Sequence, residues 1–179
     1  SSDVCSSDLV VANRGGRIIR GHIRHGFDYP GEVNLAQFTL VDGTLVSRKA
    51  VEVVGFPRED LFMMFEDVEY TTRISSAGGV LLVRPAEVNA MHLGSGAAWR
   101  SFYQARNHLR IALDRRSPAW LWGWAYRMLA LSLTDLRRRR WRSLRFRWWG
   151  ALDGVRNRMG SEVHPRLIEQ QGRQDGGSS

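Results

Sequence analysis

The sequence predicts an α/β fold: a mixed region with a few strands, followed by a helical C-terminal extension. Three observations carry that prediction. Short β-branched or apolar runs, bounded by Gly, Pro and Asp-Gly, alternate with helical patterns up to about residue 96. From about residue 98 to 159 the apolar spacing is helical throughout. No internal repeat interrupts this order. The chain has 179 residues, 43% hydrophobic and 25% charged, a composition ordinary for one globular domain with a sizeable core.

The elements follow in order. The first nine residues, SSDVCSSDL, lack the apolar and basic regions of a signal peptide. They match the translated end of a common sequencing adapter, so residues 1–9 are expected to be foreign to the fold. Cys5, the single cysteine, falls there, which excludes disulfides and Cys-ligated metals from the expected chemistry. Residues 15–26 should form a strand with a turn on either side, and 26–32 a loop at Pro30-Gly31. Residues 36–47 read as two short extended pieces around Asp42-Gly43. Ser47 is placed to cap a short helix, RKAVEVV, stopped by Gly55 and Pro57. A longer helix is expected over 66–77, ended by Gly78-Gly79. The apolar run 80–85 reads as a buried strand and 87–92 as a second extended piece. Helices follow at about 98–114, 118–143 and 145–159, and residues 161–179 are expected to be disordered.

Charge is unevenly spread. The net charge is +8, yet residues 10–113 carry 12 bases against 10 acids, while 114–160 carry 12 Arg against 3 Asp. The excess therefore belongs to the helical extension. Lys49 is the single lysine among 26 basic residues, a bias as compatible with GC-rich coding as with selection for guanidinium chemistry.

The chemistry points to LFMMFEDVEYTTRI, residues 61–74, where Glu66, Asp67 and Glu69 follow a run of Phe and Met. Acids in the first turn of a helix complement its dipole, and Glu69 is spaced to pair with Arg73, so spacing alone favours ordinary capping. Adjacent carboxylates behind apolar residues also suit a general base, because proximity and burial push one of the two to titrate higher.

Other segments complete a pattern. Gly55, Pro57, Leu61-Phe62, the acidic pair with Glu69 and Arg73, Gly78-Gly79, VLLV and His92-Leu93-Gly94 stand in order. They are followed by SFYQARNHLRIAL, with Tyr103, Arg106 and Asn107, and by GALDGVRNRMG at 150–160. From residue 36 to 160 the chain resembles the second half of family 2 glycosyltransferases, near the rhamnosyltransferase-like and galactofuranosyltransferase-like branch. The resemblance implies the C-terminal half of a GT-A, Rossmann-like domain. On that basis 10–96 is the acceptor-side half of the catalytic domain, 97–160 a basic, Trp-rich helical region, and 161–179 a tail.

The same resemblance implies roles. Asp67 would be the catalytic base, Glu66 would orient the acceptor or the base, and His92 would ligate a divalent cation, Mg2+ or Mn2+. Glu69, Trp99 and Arg106 would be further substrate contacts. The donor would be a nucleotide sugar and the acceptor a cell-surface glycan or polyprenyl-linked lipid. The family's Asp-x-Asp motif is expected upstream of this chain, since Asp28 is a lone aspartate. The fragment alone is therefore expected to be inactive.

The basic extension adds a membrane expectation. Ala119–Leu133 spans 15 residues, short of the roughly 20 needed to cross a bilayer. Residues 137–150 then interleave seven Arg with Trp141, Leu144, Phe146, Trp148 and Trp149. As a helix this segment places Trp141, Leu144 and Trp148 on one face, beside Arg138, Arg142 and Arg145, the pattern of an in-plane helix on anionic lipid. Taken with what the resemblance implies, the protein is expected on the cytoplasmic face of a bacterial inner membrane, without a nucleic-acid partner. The alternative is a basic, aromatic-rich nucleic-acid-binding or membrane-adaptor protein without catalysis, because Arg on phosphates and Trp on bases would use the same residues.

Overall fold

The computed structural model describes residues 16–20, 22–25, 33–39, 44–83 and 98–161. Among them the fold is mixed α/β and mostly helical, with two small antiparallel sheets. The described residues fall into two compact units, 16–58 with 66–83 and 59–65 with 98–161. The expected Asp42-Gly43 turn, the extended piece at 87–92 and the tail beyond 161 lie outside the described residues.

In the first unit, strands β1 (Gly16–Ile19) and β2 (His22–His25) pair as a hairpin, with Ile18 opposite Ile23. The single strand expected over 15–26 is therefore two. Arg20, left-handed at φ 50, starts the reversal between them. Strand β3 (Val33–Ala36) pairs antiparallel with β4 (Val80–Val83), Ala36 opposite Val80. β4 was expected to be buried, but Val80 is buried while Leu81 is exposed. A strand paired in a two-stranded sheet keeps one face for the core and yields the other, whatever its apolar content.

Helices α1 (Arg48–Val54) and α2 (Glu66–Ala77) form where capping and Gly signals place them. Ser47 Oγ accepts from the Ala50 N–H at 3.1 Å, and Gly55 ends α1 at φ 75. α2 is fastened to the chain after β3 by Thr71. Its buried hydroxyl accepts from the Thr39 N–H at 3.1 Å and lies 3.0 Å from the Thr39 carbonyl.

The second unit is built on α3 (Arg100–Asp114), α4 (Pro118–Arg137) and α5 (Trp141–Val155). Trp99, Phe102, Tyr103 and Phe146 form one apolar cluster; Ala105, Met128 and Ala151 form another. The α3–α5 seam is unusually close at two glycines. A Cβ on Gly150 would lie 2.1 Å from the Phe102 carbonyl oxygen, and one on Gly154 2.9 Å from that of Arg106. The GALDG spacing thus serves backbone-to-backbone approach, which no larger residue permits.

The α4–α5 break falls at 138–140, not at 144 as the periodicity implied. α4 closes through Arg139, left-handed at φ 52, with the Arg139 N–H on the Leu136 carbonyl and the Arg140 N–H on that of Asp135 at 2.7 Å. α3 and α5 end the same way through Arg116 and Asn157. None of these three positions is glycine, so sequence gave no stop signal at Arg139.

Candidate functional site

The candidate site is the acidic pair Glu66-Asp67 in the first unit, and the residues that precede it in the chain, 59–65, are described with the helical unit to which they belong. Residues 59–65 belong to the helical unit. After a short 3-10 turn (Glu59–Leu61), Phe62, Met64 and Phe65 all adopt left-handed backbone, at φ 60, 65 and 72. Bulky residues avoid this region, and each such position costs of order 1–3 kcal/mol unless its surroundings impose it.

The surroundings do impose it. Asn107 on α3 is fully buried, and its Nδ2 lies 2.8, 2.7 and 2.8 Å from the carbonyl oxygens of Leu61, Met63 and Met64. Its two N–H groups thus serve three backbone acceptors of one turn. Its Oδ1 accepts from Arg106 Nε at 2.9 Å, which fixes the amide's orientation. Arg106 is 1% exposed and spends its other nitrogens on the carbonyls of Gly160, at 2.8 Å, and Leu61, at 3.3 Å. The Gly160 N–H in turn donates to the Asp60 carbonyl at 2.7 Å. Burial lowers the Arg106 pKa, opposed by Tyr103, Asp153 and Asp60. Phe65 stacks on His108, ring centres 4.8 Å apart, and Phe62 lies 5.5 Å from Tyr103. Four α3 residues, Tyr103, Arg106, Asn107 and His108, thereby hold the segment that enters α2.

In the other unit, α2 opens with Glu66 and Asp67, both half-buried. Asp67 Oδ1 accepts from the Val68 N–H at 2.7 Å, and its backbone carbonyl lies 2.7 Å from the Thr71 hydroxyl. The carboxylate is thus aligned with the positive end of the helix. Glu69 is buried, with Oε1 bonded to Arg73 Nε at 2.8 Å. Arg73 also donates to the carbonyls of Val54 and Phe56, tying α2 to the end of α1. This is the expected i, i+4 pair, turned inward as a brace between helices.

The sequence-nominated residues therefore separate. Glu66 and Asp67 stand together at the start of α2, and Glu69 braces it from within. Trp99 and Arg106 lie inside the helical unit, Trp99 edge-on to Tyr103 at 6.0 Å. His92, the expected cation ligand, lies outside the described residues. No group of three His, Asp or Glu among the described residues could hold a metal ion, so they do not make up a ligand set for the divalent cation. The clamp role of Asn107 was missed. The Arg-Asn pair on an apolar helix was a visible signal, but its three acceptors are backbone atoms some 40 positions away and leave no trace in composition.

Comparison with protein families, with curated proteins and with solved structures finds no match.

Proposed function

We propose that the chain is the C-terminal portion of an inverting, metal-dependent glycosyltransferase of the family 2 type, with a GT-A catalytic domain, attached peripherally to the cytoplasmic face of a bacterial membrane. The observation that carries the reading is the left-handed backbone of Phe62, Met64 and Phe65, in a segment held by Asn107 and Arg106 directly before Glu66-Asp67 in the chain. Strained backbone clusters where a function requires it, and here it stands in the chain immediately before the acidic pair. The ordered motifs from Gly55 to Gly160 support the same reading, and two of them, the Arg-Asn pair and the closing glycines, have structural work in the helical unit.

In the proposed reaction Asp67 accepts the proton of an acceptor hydroxyl. The oxygen attacks the anomeric carbon of a nucleotide sugar from the face opposite the nucleotide, so the new C–O bond forms as the bond to phosphate breaks and configuration inverts. Glu66 orients the acceptor or the base. A divalent cation would supply charge neutralisation for the departing nucleoside diphosphate. The acceptor is a cell-surface glycan or a polyprenyl-linked lipid.

The test is Asp67→Asn in the enzyme restored to its full reading frame. Transfer should fall roughly 10²–10⁴-fold, with the far-UV circular dichroism spectrum unchanged. Turnover retained within a few-fold would reject Asp67 as the base.

A further inference from the structure

We propose that the outer face of α4 is a docking surface for an anionic lipid bilayer, with the helix lying in the membrane plane. This deepens the peripheral attachment in the reading above and extends its apolar contact from 137–150 to α4, but it does not depend on sugar transfer.

α4 is inside out. Every exposed residue from Pro118 to Leu136 is uncharged: Pro118, Ala119, Trp122, Tyr126, Leu129, Ala130, Leu133 and Leu136. The two charged side chains within that span, Arg127 and Asp135, turn toward the protein. Asp135 is buried and pairs with Arg147 of α5 at 2.7 Å. Arg127 lines a small cavity with Gln104, Trp124 and Arg147. A helix against water shows the opposite arrangement.

The large exposed side chains form one stripe. Trp122, Tyr126, Leu129, Leu133 and Leu136 are 47–63% exposed. At 100° per residue they fall within an arc of roughly 80°, over a length of about 21 Å. No helix among the described residues is long and apolar enough to cross a membrane, so a stripe of this kind can meet lipid only lying flat.

Charge selects the occupant. Six exposed arginines, Arg137 to Arg140, Arg142 and Arg145, continue directly from the end of the stripe. The acids of α4 and α5, Asp135 and Asp153, are both buried. A second copy of this chain would bring arginines onto α4 and α5 surfaces with no acid to meet them. A nucleic acid would answer the arginines but leave Leu129, Leu133 and Leu136 against phosphate or water. A bilayer with anionic headgroups answers both: acyl carbon for the stripe, Trp122 and Tyr126 at the polar boundary, guanidinium groups on phosphate.

The experiment is co-sedimentation of the full chain with vesicles of phosphatidylcholine, with and without phosphatidylglycerol, alongside size-exclusion light scattering and single-stranded DNA binding. The chain should bind the anionic vesicles. The doubly substituted L129E/L133E should bind them roughly tenfold or more weakly. Replacing Arg138 and Arg139 by Gln should weaken anionic binding about fivefold per arginine and make the residue of binding less salt-sensitive. Should the glutamate pair disturb folding, L129A/L133A gives the same ranking with a smaller loss. Vesicle binding undiminished in both pairs overturns the proposal. So does a change from dimer to monomer without vesicle binding, or tight DNA binding in its place. Asp67→Asn should leave vesicle binding intact, so loss of transfer and loss of docking are read separately.

Discussion

Helices α3 and α4 both break the rule that polar groups face water, and they break it in opposite ways. α3 buries Arg106 and Asn107 within its central turns. α4 exposes Trp122, Tyr126, Leu129 and Leu133. The α3 exception is resolved inside the molecule: Asn107 and Arg106 meet the carbonyls of Leu61, Met63, Met64 and Gly160, which would otherwise face an apolar core. Buried polarity of this kind is tolerable because its hydrogen bonds are made, and costly the moment one partner is removed. The α4 exception is not resolved by the unit's own core. An apolar stripe calls for a surface outside the unit, whereas a satisfied polar cluster calls for nothing further. The two helices thus mark two things beyond a core: a clamped segment at 61–64, and the face proposed above for docking.

The comparison can be broken hardest at the seam beneath α3. Gly150→Ala would drive a methyl into the Phe102 carbonyl, an approach that α5 can relieve only by withdrawing from α3. A loss of about 3 kcal/mol or more is expected in urea unfolding, enough to unfold a marginal unit. The α3 clamp comes next. Asn107→Leu keeps the volume but strips the amide donor from the Met63 and Met64 carbonyls and the acceptor from Arg106 Nε, and should cost about 2–3 kcal/mol. It should also raise amide exchange and proteolysis selectively over 61–65. Unchanged protection there would mean that the left-handed segment is held by packing of Phe62 and Phe65 instead.

A smaller, pH-dependent effect is expected at Asp153, which is buried with its Oδ1 lacking a hydrogen-bond partner among the described residues. Burial raises its pKa above 3.8, with Arg158, Arg106 and Arg156 pulling the other way. A carboxyl whose folded pKa is raised favours the fold while protonated, and that contribution is lost as pH rises from the unfolded value through the folded one. Asp153→Asn should therefore be more stable than the parent chain at neutral pH, with the gap closing as pH falls through the raised folded pKa toward 3.8 and staying closed below it, as followed by thermal melts across that range. A gap that widens toward acid would show the arginines dominating. The smallest effect is reserved for α4, where L129E/L133E should shift stability by within about 0.5 kcal/mol per site. A surface that tolerates charge in stability but not in vesicle binding is the contrast with α3 at its sharpest.

Much of this was legible in the chain. Ser47, Gly55 and Gly78-Gly79 located α1 and α2 because caps and left-handed stops are local chemistry. The acidic first turn of α2 and the Glu69–Arg73 pair were likewise local, set by a spacing of four. The α4–α5 boundary was not legible, because Arg139 adopts a conformation that nothing in an arginine side chain announces. Nor were Phe62, Met64 and Phe65 readable as left-handed, since Phe and Met do not favour that region on their own.

By itself, then, the sequence determined which segments become helices, where the positive charge gathers and which carboxylates open α2, since these depend on neighbours a few positions apart. Only the tertiary structure decided that Asn107 grips the chain before those carboxylates, that α5 lies against α3 at Gly150 and Gly154, and that α4 turns Arg127 and Asp135 inward. The physical reason is common to all three. Each is a contest for the interior, settled by whichever distant backbone or side-chain partner satisfies a buried group at the least cost.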